Sequence, residues 1–249
     1  MKYSNLNEEN IIKNHLADLG ISKGVCVDIG ASDGVDSSNS LALYKNGWSG
    51  LAIECNTQKF INLSKAYEDL SQVVLLRKKV SPYNINGILG GFCGAIDFLS
   101  IDIDGYDYYV LDAILEQFRP KIICAEINQN IPPPIKFSVK YDPDFFWKQN
   151  MFFGMSVSMA GELCKKYNYC LTEVEYTNVF FMPIELCQAG CKSPEEVYDE
   201  GFYNRPDKKE KTMFHAPMIE LVRSLPIEKK VEYMDNFFAQ YKGRFVCYI

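Results

Sequence analysis

Two acids that each end an apolar run are the first residues in this chain whose arrangement suits chemistry. The stretch VCVDIGASDG carries Asp28 into a loop that contains Gly30 and Gly34. Further along, the run GLAIE ends in Glu54. Glycines in such a loop let a ligand approach the backbone closely, and an acid at the end of the second strand accepts hydrogen bonds from ribose hydroxyls. Together the two features predict a site for an adenosine-containing cofactor.

The spacing of the glycines favours one class of adenosine cofactor. From Gly30 to Gly34 the chain reads GASDG, which departs from the G-x-G-x-x-G pattern of dinucleotide-binding loops. This departure favours S-adenosylmethionine (SAM) over a nicotinamide cofactor. An NAD(P)-dependent oxidoreductase on a similar sheet stays open as an alternative.

A second group of polar side chains follows the fourth and fifth predicted strands. In SIDIDGYDY, Asp102 and Asp104 lie on the same face of the chain at strand periodicity. In AEINQN, Glu126 and Asn128 are related in the same way. Because neighbouring parallel strands end at the same edge of a sheet, these four side chains are expected to meet in one cleft.

Two kinds of chemistry are open to that cleft. Oxygen ligands from Asp102, Glu126 and Asn128 suit Mg²⁺ or Mn²⁺, which would lower the pKa of an acceptor hydroxyl. Without a metal, one acid serves as general base, with Asp104 as a further base or ligand, and Asn128 orients the acceptor. His215 is a reserve base, because an unperturbed imidazole titrates near neutrality.

Apolar runs and helical spacing alternate along the chain and must position these residues. The predicted strands are Val25–Ile29, Gly50–Cys55, Val73–Leu76, Phe98–Ile103 and Lys121–Ile127, followed by the pair Cys170–Tyr176 and Val179–Met182. The predicted helices are Asn7–Leu19, Ser37–Lys45, Thr57–Tyr67, Ser81–Ile88, Val110–Glu116, Ser156–Tyr167 and Ile219–Tyr241. Such alternation predicts a doubly wound parallel sheet with ligands at the carboxyl ends of its strands. The irregular loop 129–149 is expected to be a lid.

Composition limits the classes of function. The chain has 249 residues, 47% of them hydrophobic, and a net charge of −6, which argues against general nucleic-acid binding. No apolar run is long enough for a membrane span, and the N-terminus lacks the apolar core of a signal peptide. The nine cysteines are odd in number and dispersed, which predicts free thiols in a cytoplasmic protein, with Cys187 and Cys191 as half of a metal site at most. The C-terminal helix could support a homo-oligomer.

Several ordered motifs between Gly24 and Met182 resemble those of a known family. The motifs are VDIGASDG, LAIEC, KKVSPYNINGIL, DFLSIDIDGYDYYVLDAI and RPKIICAEIN. They resemble the class I SAM-dependent methyltransferases, and specifically the FkbM-like group. The resemblance implies an α/β, doubly wound, mostly parallel seven-stranded Rossmann-like sheet whose last two strands form a hairpin. It further implies a methyltransferase domain at residues 1–183, and residues 184–249 are interpreted as a C-terminal helical extension.

The resemblance also implies roles for individual residues. Glu54 would bind the ribose hydroxyls, and Asp102 would lie near the amino group of SAM or the reacting centre. The remaining expected cofactor contacts are the loop residues Asp28, Gly30, Ala31, Ser32, Asp33 and Gly34 at the methionine end, Val80 and Ser81 near the adenine, and Ser37 and Cys55.

The acceptor implied by the resemblance is a small polar molecule. The family is tied mostly to O-methylation of sugars and small metabolites, often in polysaccharide biosynthesis, so a sugar, sugar-phosphate or polysaccharide-precursor oxygen is expected. The acid cluster is also similar to that of metal-assisted catechol-type O-methyltransferases, which stays a second alternative. Lys136 and Lys140, in the predicted lid, are candidates for attracting an anionic acceptor.

Overall fold

Nine strands in two sheets form the framework of the computed structural model, which describes residues 2–92, 94–212 and 218–249. In chain order the strands are β1 Val25–Ile29, β2 Ser49–Glu54, β3 Val73–Arg77, β4 Phe98–Ile101, β5 Ile122–Glu126, β6 Lys136–Val139, β7 Tyr169–Glu175, β8 Asn178–Pro183 and β9 Phe245–Tyr248. The main sheet has the order β3-β2-β1-β4-β5-β8-β7, and β6 pairs with β9 in a separate antiparallel sheet. Strands β1 to β5 are parallel, whereas β8 is antiparallel to both neighbours. The predicted seven-stranded, mostly parallel sheet with a terminal hairpin is confirmed.

Helices cover both faces of this sheet. The α-helices in the described residues are α1 Glu8–Asp18, α2 Leu41–Lys45, α3 Thr57–Ala66, α4 Ile85–Phe92, α5 Asp107–Gln117, α6 Val157–Tyr167, α7 Pro194–Tyr198, α8 Lys208–Lys211, α9 Met218–Ser224 and α10 Ile227–Phe237. Side chains alternate along a strand, so Val27 and Ile29 pack in one apolar layer and Cys26 in the other. Helices α4 to α6 pack in the first layer and α1 to α3 in the second, which confirms the doubly wound arrangement. None of these described helices has the length and apolar character needed to cross a membrane.

The C-terminal segment differs most from its prediction. The single helix expected at Ile219–Tyr241 is wrong: α9 and α10 are separate, because Pro226 between them lacks an N–H and cannot continue a helix. The irregular loop 129–149 contains β6, whose partner β9 comes from the end of the chain. Met218 and Met234 are buried in the same apolar layer as α5 and α6. The domain boundary at residue 183 stays a prediction.

A disulfide joins Cys170 to Cys191, with the two Cα atoms 4.7 Å apart. The prediction of dispersed free thiols, with Cys191 in half of a metal site, is therefore wrong for this pair. The reason lies in the tertiary structure. The N–H of Lys192 donates to the carbonyl of Leu171 (3.1 Å), so the segment around Cys191 lies beside the start of β7. Cysteines 26, 55, 124, 164, 187 and 247 are free thiols.

Candidate active site

A pocket of about 880 Å³ lies at the carboxyl ends of β1, β2 and β4. This is where the strand order reverses, between β1 and β4, and where ligands bind in open α/β sheets. Of the residues expected to contact a cofactor, those that line the pocket are Asp28, Gly30, Ala31, Ser32, Ser37, Glu54, Cys55, Val80 and Asp102. A second cavity of about 660 Å³, between α1 and β7, contains none of the described site residues.

The loop after β1 forms the floor of the pocket and must contain glycine. Gly30 has φ +91°, and a Cβ there would lie 1.7 Å from the carbonyl oxygen of Asp102. The N–H groups of Gly30 and Ala31 both donate to the carbonyl of Ile53 (2.9 and 3.0 Å). The loop is therefore held between β2 and β4 with no side chain that would block a ligand.

Glu54, at the end of β2, is held in place by two backbone N–H groups. One carboxylate oxygen accepts a hydrogen bond from the N–H of Ser32 (3.0 Å) and the other from the N–H of Asn56 (2.6 Å). The residue is only 6% exposed, yet it lines the pocket. A carboxylate oxygen has two lone pairs, so each oxygen can accept one more hydrogen bond. Two adjacent hydroxyls match this arrangement.

Asp28 lies deeper in the pocket wall. Its carboxylate accepts a hydrogen bond from the hydroxyl of Ser40. Burial raises the pKa of Asp28 to about 6; donation from Ser40 opposes the rise, and repulsion from Glu54 adds to it. Asp28 therefore carries its charge less readily than an ordinary aspartate.

Three carboxylates meet where β4 and β5 end. The closest oxygens of Asp102, Asp104 and Glu126 lie within 4.8 Å of one another. Asp104 has φ +56°, a left-handed turn that the carboxylate of Asp107 holds by accepting from the N–H groups of Ile103 (2.8 Å) and Gly105 (2.9 Å). Asp102 and Asp104 line the pocket, whereas Glu126 lies behind them. This turn returns the two aspartates toward β5.

The pKa of each carboxyl in this acid cluster (Asp102, Asp104 and Glu126) is raised. For Asp102 the causes are desolvation and then repulsion from Asp104 and Asp107, although its side chain opens onto the pocket. Desolvation and repulsion from Asp102 raise the pKa of Glu126, one of whose oxygens is buried without a hydrogen-bond partner among the described residues. Desolvation also raises the pKa of Asp104, and the charge of Lys59 opposes it. The cluster is thus an acceptor of protons or of a cation.

Asn128 does not join the acid cluster, contrary to prediction. Its side-chain amide donates to the carbonyls of Met151 (2.8 Å) and Phe153 (3.1 Å), and its oxygen accepts from the N–H of Asn130 (3.2 Å). The prediction extended strand alternation from Glu126, but β5 ends at that residue, so the alternation ends there. Asn128 is fully buried and organises the chain near residue 152.

Three predicted cofactor contacts do not line the pocket. Asp33 accepts hydrogen bonds from two N–H groups of its own turn (2.9 and 3.0 Å), and the N–H of Ser81 donates to the Asn84 side chain (2.8 Å). Gly34 packs under Tyr67, since a Cβ there would lie 2.6 Å from the Tyr67 ring. These residues shape the loops and do not face the ligand space. His215 lies outside the described residues.

The cationic residues of the pocket are not the ones expected. Lys136 pairs with Glu162 (3.3 Å) on the surface of α6, and neither it nor Lys140 lines the pocket. The lining lysines are Lys59, Lys78 and Lys79. Two of these directly follow β3, so the end of the third strand was the signal that could have identified them.

Only the last part of the loop 129–149, which was predicted to be a lid, lines the pocket. We call residues 141–150 the lid; its residues Phe145, Phe146, Trp147 and Gln149 line the pocket. The ammonium of Lys79 donates to the carbonyls of Pro143 (2.6 Å) and Phe145 (3.0 Å) and lies 4.1 Å from the centre of the Phe146 ring. The lid is therefore attached to the end of β3.

Comparison with known proteins supports one reading of this pocket. Residues 70–152, about a third of the chain, match the family model described as the methyltransferase FkbM domain. This match supports the predicted resemblance and does not support the nicotinamide alternative. No curated protein matches the chain.

The solved structures to which the chain shows similarity are distant in sequence. One is the N-terminal domain of EvdMO1 in the presence of SAH and D-fucose, with 10% sequence identity and a TM-score of 0.47. That alignment covers 71% of this chain and 82% of the EvdMO1 chain. Another is the CurJ carbon methyltransferase, with 12% sequence identity and a TM-score of 0.47. That alignment covers 72% of this chain and 53% of the CurJ chain. A third is precorrin-6y C5,15-methyltransferase from Geobacter metallireducens, with 15% sequence identity and a TM-score of 0.42. That alignment covers 70% of this chain and 86% of the other chain.

Proposed function

We propose that this chain, a SAM-dependent methyltransferase with an FkbM domain over residues 70–152, methylates an oxygen of a small polar acceptor. The observation that carries the proposal is that Glu54 and Asp102 open onto one pocket. The first is suited to bind a ribose, and the second is suited to accept a proton. The expected acceptor is a sugar, a sugar-phosphate or a polysaccharide precursor.

The residues of the pocket fit SAM. When bound, SAM supplies a methyl group on a positively charged sulfur. The free lone pairs of Glu54 suit the two ribose hydroxyls, and the bare backbone at Gly30 leaves space for the methionine end. Cys55 and Val80 line the part of the pocket next to Glu54, where the adenine would lie. A pocket of about 880 Å³ is within the usual range for small-molecule sites.

Asp102 is the proposed general base. An acceptor hydroxyl becomes a better nucleophile as its proton moves to a carboxylate within hydrogen-bond reach. The raised pKa of Asp102 lies closer to neutral pH than the pKa of an ordinary aspartate, and Asp102 is therefore a stronger proton acceptor. Glu126, behind Asp102, donates to it when protonated and so shares one proton with it. The rest of catalysis is the positioning of the acceptor.

A metal-assisted reaction of the catechol type is the second candidate, and the acid cluster favours it. Asp102, Asp104 and Glu126 present hard oxygen ligands within 4.8 Å of one another, a donor set that Mg²⁺ and Mn²⁺ accept. Asp104 takes the place that the sequence prediction gave to Asn128. A cation there would lower the pKa of an acceptor hydroxyl. Turnover measured after EDTA treatment, with and without added Mg²⁺ or Mn²⁺, separates the two candidates; indifference to both treatments leaves Asp102 as the base.

The surroundings of the pocket support an anionic or sugar-like acceptor. Lys59 and Lys78 line the pocket, and neither forms an ion pair with another described residue. Phe146 is 70% exposed at the rim and offers an aromatic face.

We propose a cytoplasmic location because most described cysteines are free, although the disulfide Cys170–Cys191 is more typical of an oxidising compartment. Self-association of the chain also stays a proposal.

The proposed function is tested by binding and by transfer. Calorimetry with SAM and with S-adenosylhomocysteine (SAH) measures cofactor binding, with the exposed Glu185→Gln variant as a matched control. Transfer of a labelled methyl group to a panel of sugars, sugar-phosphates and catechols, followed by NMR of the product, identifies the methylated atom. An O-methyl product supports the proposal. A methyl group on carbon or nitrogen, or no binding of either SAM or SAH, would overturn it.

A further inference from the structure

The lid is attached to the end of the chain as well as to β3. We call residues 238–248 the strap. Its strand, β9, pairs with β6, which leads directly into the lid, and the N–H of Lys140 donates to the carbonyl of Arg244 (2.8 Å). The backbone at the start of the lid is therefore held by a segment that is about a hundred residues away in sequence and lies outside the FkbM domain match.

Side chains of the strap hold both ends of the lid. At the first end, Arg244 forms an ion pair with Asp142 (2.9 Å). At the second end, the hydroxyl of Tyr241 accepts a hydrogen bond from the side-chain amide of Asn150 (2.8 Å). The Tyr241 ring also stacks on Phe152, with ring centres 3.9 Å apart and an angle of 6° between the planes. The strap thus holds the lid by an ion pair at its first end and a hydrogen bond at its second end, and it stacks on Phe152 just after the lid.

The lid transmits this attachment to the pocket. Between the two held ends lie the pocket-lining residues of the lid. The ring of Phe145 packs against Gly105, where a Cβ would lie 2.8 Å from it, and so contacts the turn that carries Asp104. The lid has no helix or strand of its own, so its order depends on these contacts. A segment that must be ordered at the moment of binding weakens that binding by its lost conformational freedom.

We propose that Tyr241 and Arg244 are positioning residues that hold the lid in its ligand-binding conformation before SAM and the acceptor enter. Neither residue lines the pocket, so both act through the lid. The C-terminal segment is then part of the binding machinery of this methyltransferase. The inference rests on the proposed function for its ligand, and on the contacts of the strap for its mechanism.

The order of the lid can be measured without catalysis. Trp147 lies in the lid and donates from its indole nitrogen to the carbonyl of Asn150 (2.7 Å), whereas the only other tryptophan, Trp48, is buried in the core. Quenching of tryptophan fluorescence by acrylamide therefore reports on the lid. Arg244→Ala and Tyr241→Phe should each increase quenching and leave the unfolding temperature nearly unchanged. Lys229→Ala, which breaks an exposed pair with Glu232 on α10, is the matched control.

Binding and rescue complete the test. Loss of a half-exposed ion pair is expected to weaken SAH binding about two- to fivefold in Arg244→Ala, and the double variant with Tyr241→Phe should be weaker still. The exchange Asp142→Arg with Arg244→Asp should return both the affinity and the extent of quenching part of the way to wild type, because Asp142 also accepts from the N–H of Asp144 (2.9 Å). A general loss of stability would not be reversed in this way. Wild-type quenching and affinity in Arg244→Ala would overturn the inference. If wild type bound no SAH, the proposed function would fail, and quenching alone would decide the role of the strap.

Discussion

Two acidic regions of the same pocket differ in how their charges are compensated. Glu54 accepts a hydrogen bond on each oxygen from the backbone. Asp102 and Glu126 instead lie close to each other, and desolvation raises the pKa of both carboxyls. Repulsion from Asp104 and Asp107 adds to the rise at Asp102, and repulsion from Asp102 adds to the rise at Glu126. Backbone donors stabilise the charged form of a carboxylate, whereas desolvation and nearby like charges favour a bound proton or cation. The difference supports the proposed division of these carboxylates into a binding group, Glu54, and a reacting group, Asp102 with Glu126.

The largest expected effect follows from removing the proton acceptor. Asp102→Asn should lower the rate of methyl transfer by roughly 10²- to 10⁴-fold, the usual contribution of a general base. Single-turnover assays at saturating SAM measure it. If this variant kept a tenth of the wild-type rate, Asp102 would not belong to the reacting group.

The binding group is tested by Glu54→Ala. Loss of charge-assisted hydrogen bonds should weaken SAM binding by about 1–3 kcal/mol, which corresponds to about 5- to 150-fold in dissociation constant. Calorimetry measures the affinity, and Glu54→Gln should give a smaller loss because the amide keeps one acceptor oxygen. An unchanged affinity would remove Glu54 from the cofactor site.

The repulsion within the acid cluster is tested through the pH dependence of turnover. Asp104→Asn removes a negative charge beside Asp102, so the pKa of Asp102 should fall and the rising limb of the rate profile should move to lower pH. Asparagine tolerates the left-handed backbone at this position. Asp69→Asn, which changes an exposed acid in the turn between α3 and β3, is the control. If the rising limb of the rate profile stayed at the same pH, Asp104 would not control the pKa of Asp102.

The smallest expected effect concerns stability. The pKa of Glu126 is raised in the folded chain, so its contribution to stability is present at low pH and is lost as pH rises through the folded-state pKa. Glu126→Gln removes this loss and should raise the unfolding temperature at pH 8 by roughly 2–4 °C, the change that about 1 kcal/mol gives in a chain of this size. The difference should disappear near pH 4. A lower unfolding temperature at pH 8 would contradict the electrostatic account.

Local patterns predicted the part of the site that is built from single motifs. Gly30 and Glu54 each lie at the end of a strand that was recognised from its apolar run, and both line the pocket. Asn128 was misplaced because alternation was carried past the end of β5, a boundary that depends on pairing with neighbouring strands. Lys78 and Lys79 were missed because their importance comes from the position of β3 beside β2.

The sequence by itself determined the order of helices and strands, the parallel sheet and the part of the pocket lined by Gly30 and Glu54, because apolar periodicity and turn glycines act over a few residues. Only the tertiary structure decided the bond between Cys170 and Cys191 and the pairing of β9 with β6. These contacts join segments far apart in the chain, and no local pattern encodes which distant partner a cysteine or an edge strand will meet. Local motifs therefore account for one part of this protein, and contacts between distant segments account for the rest.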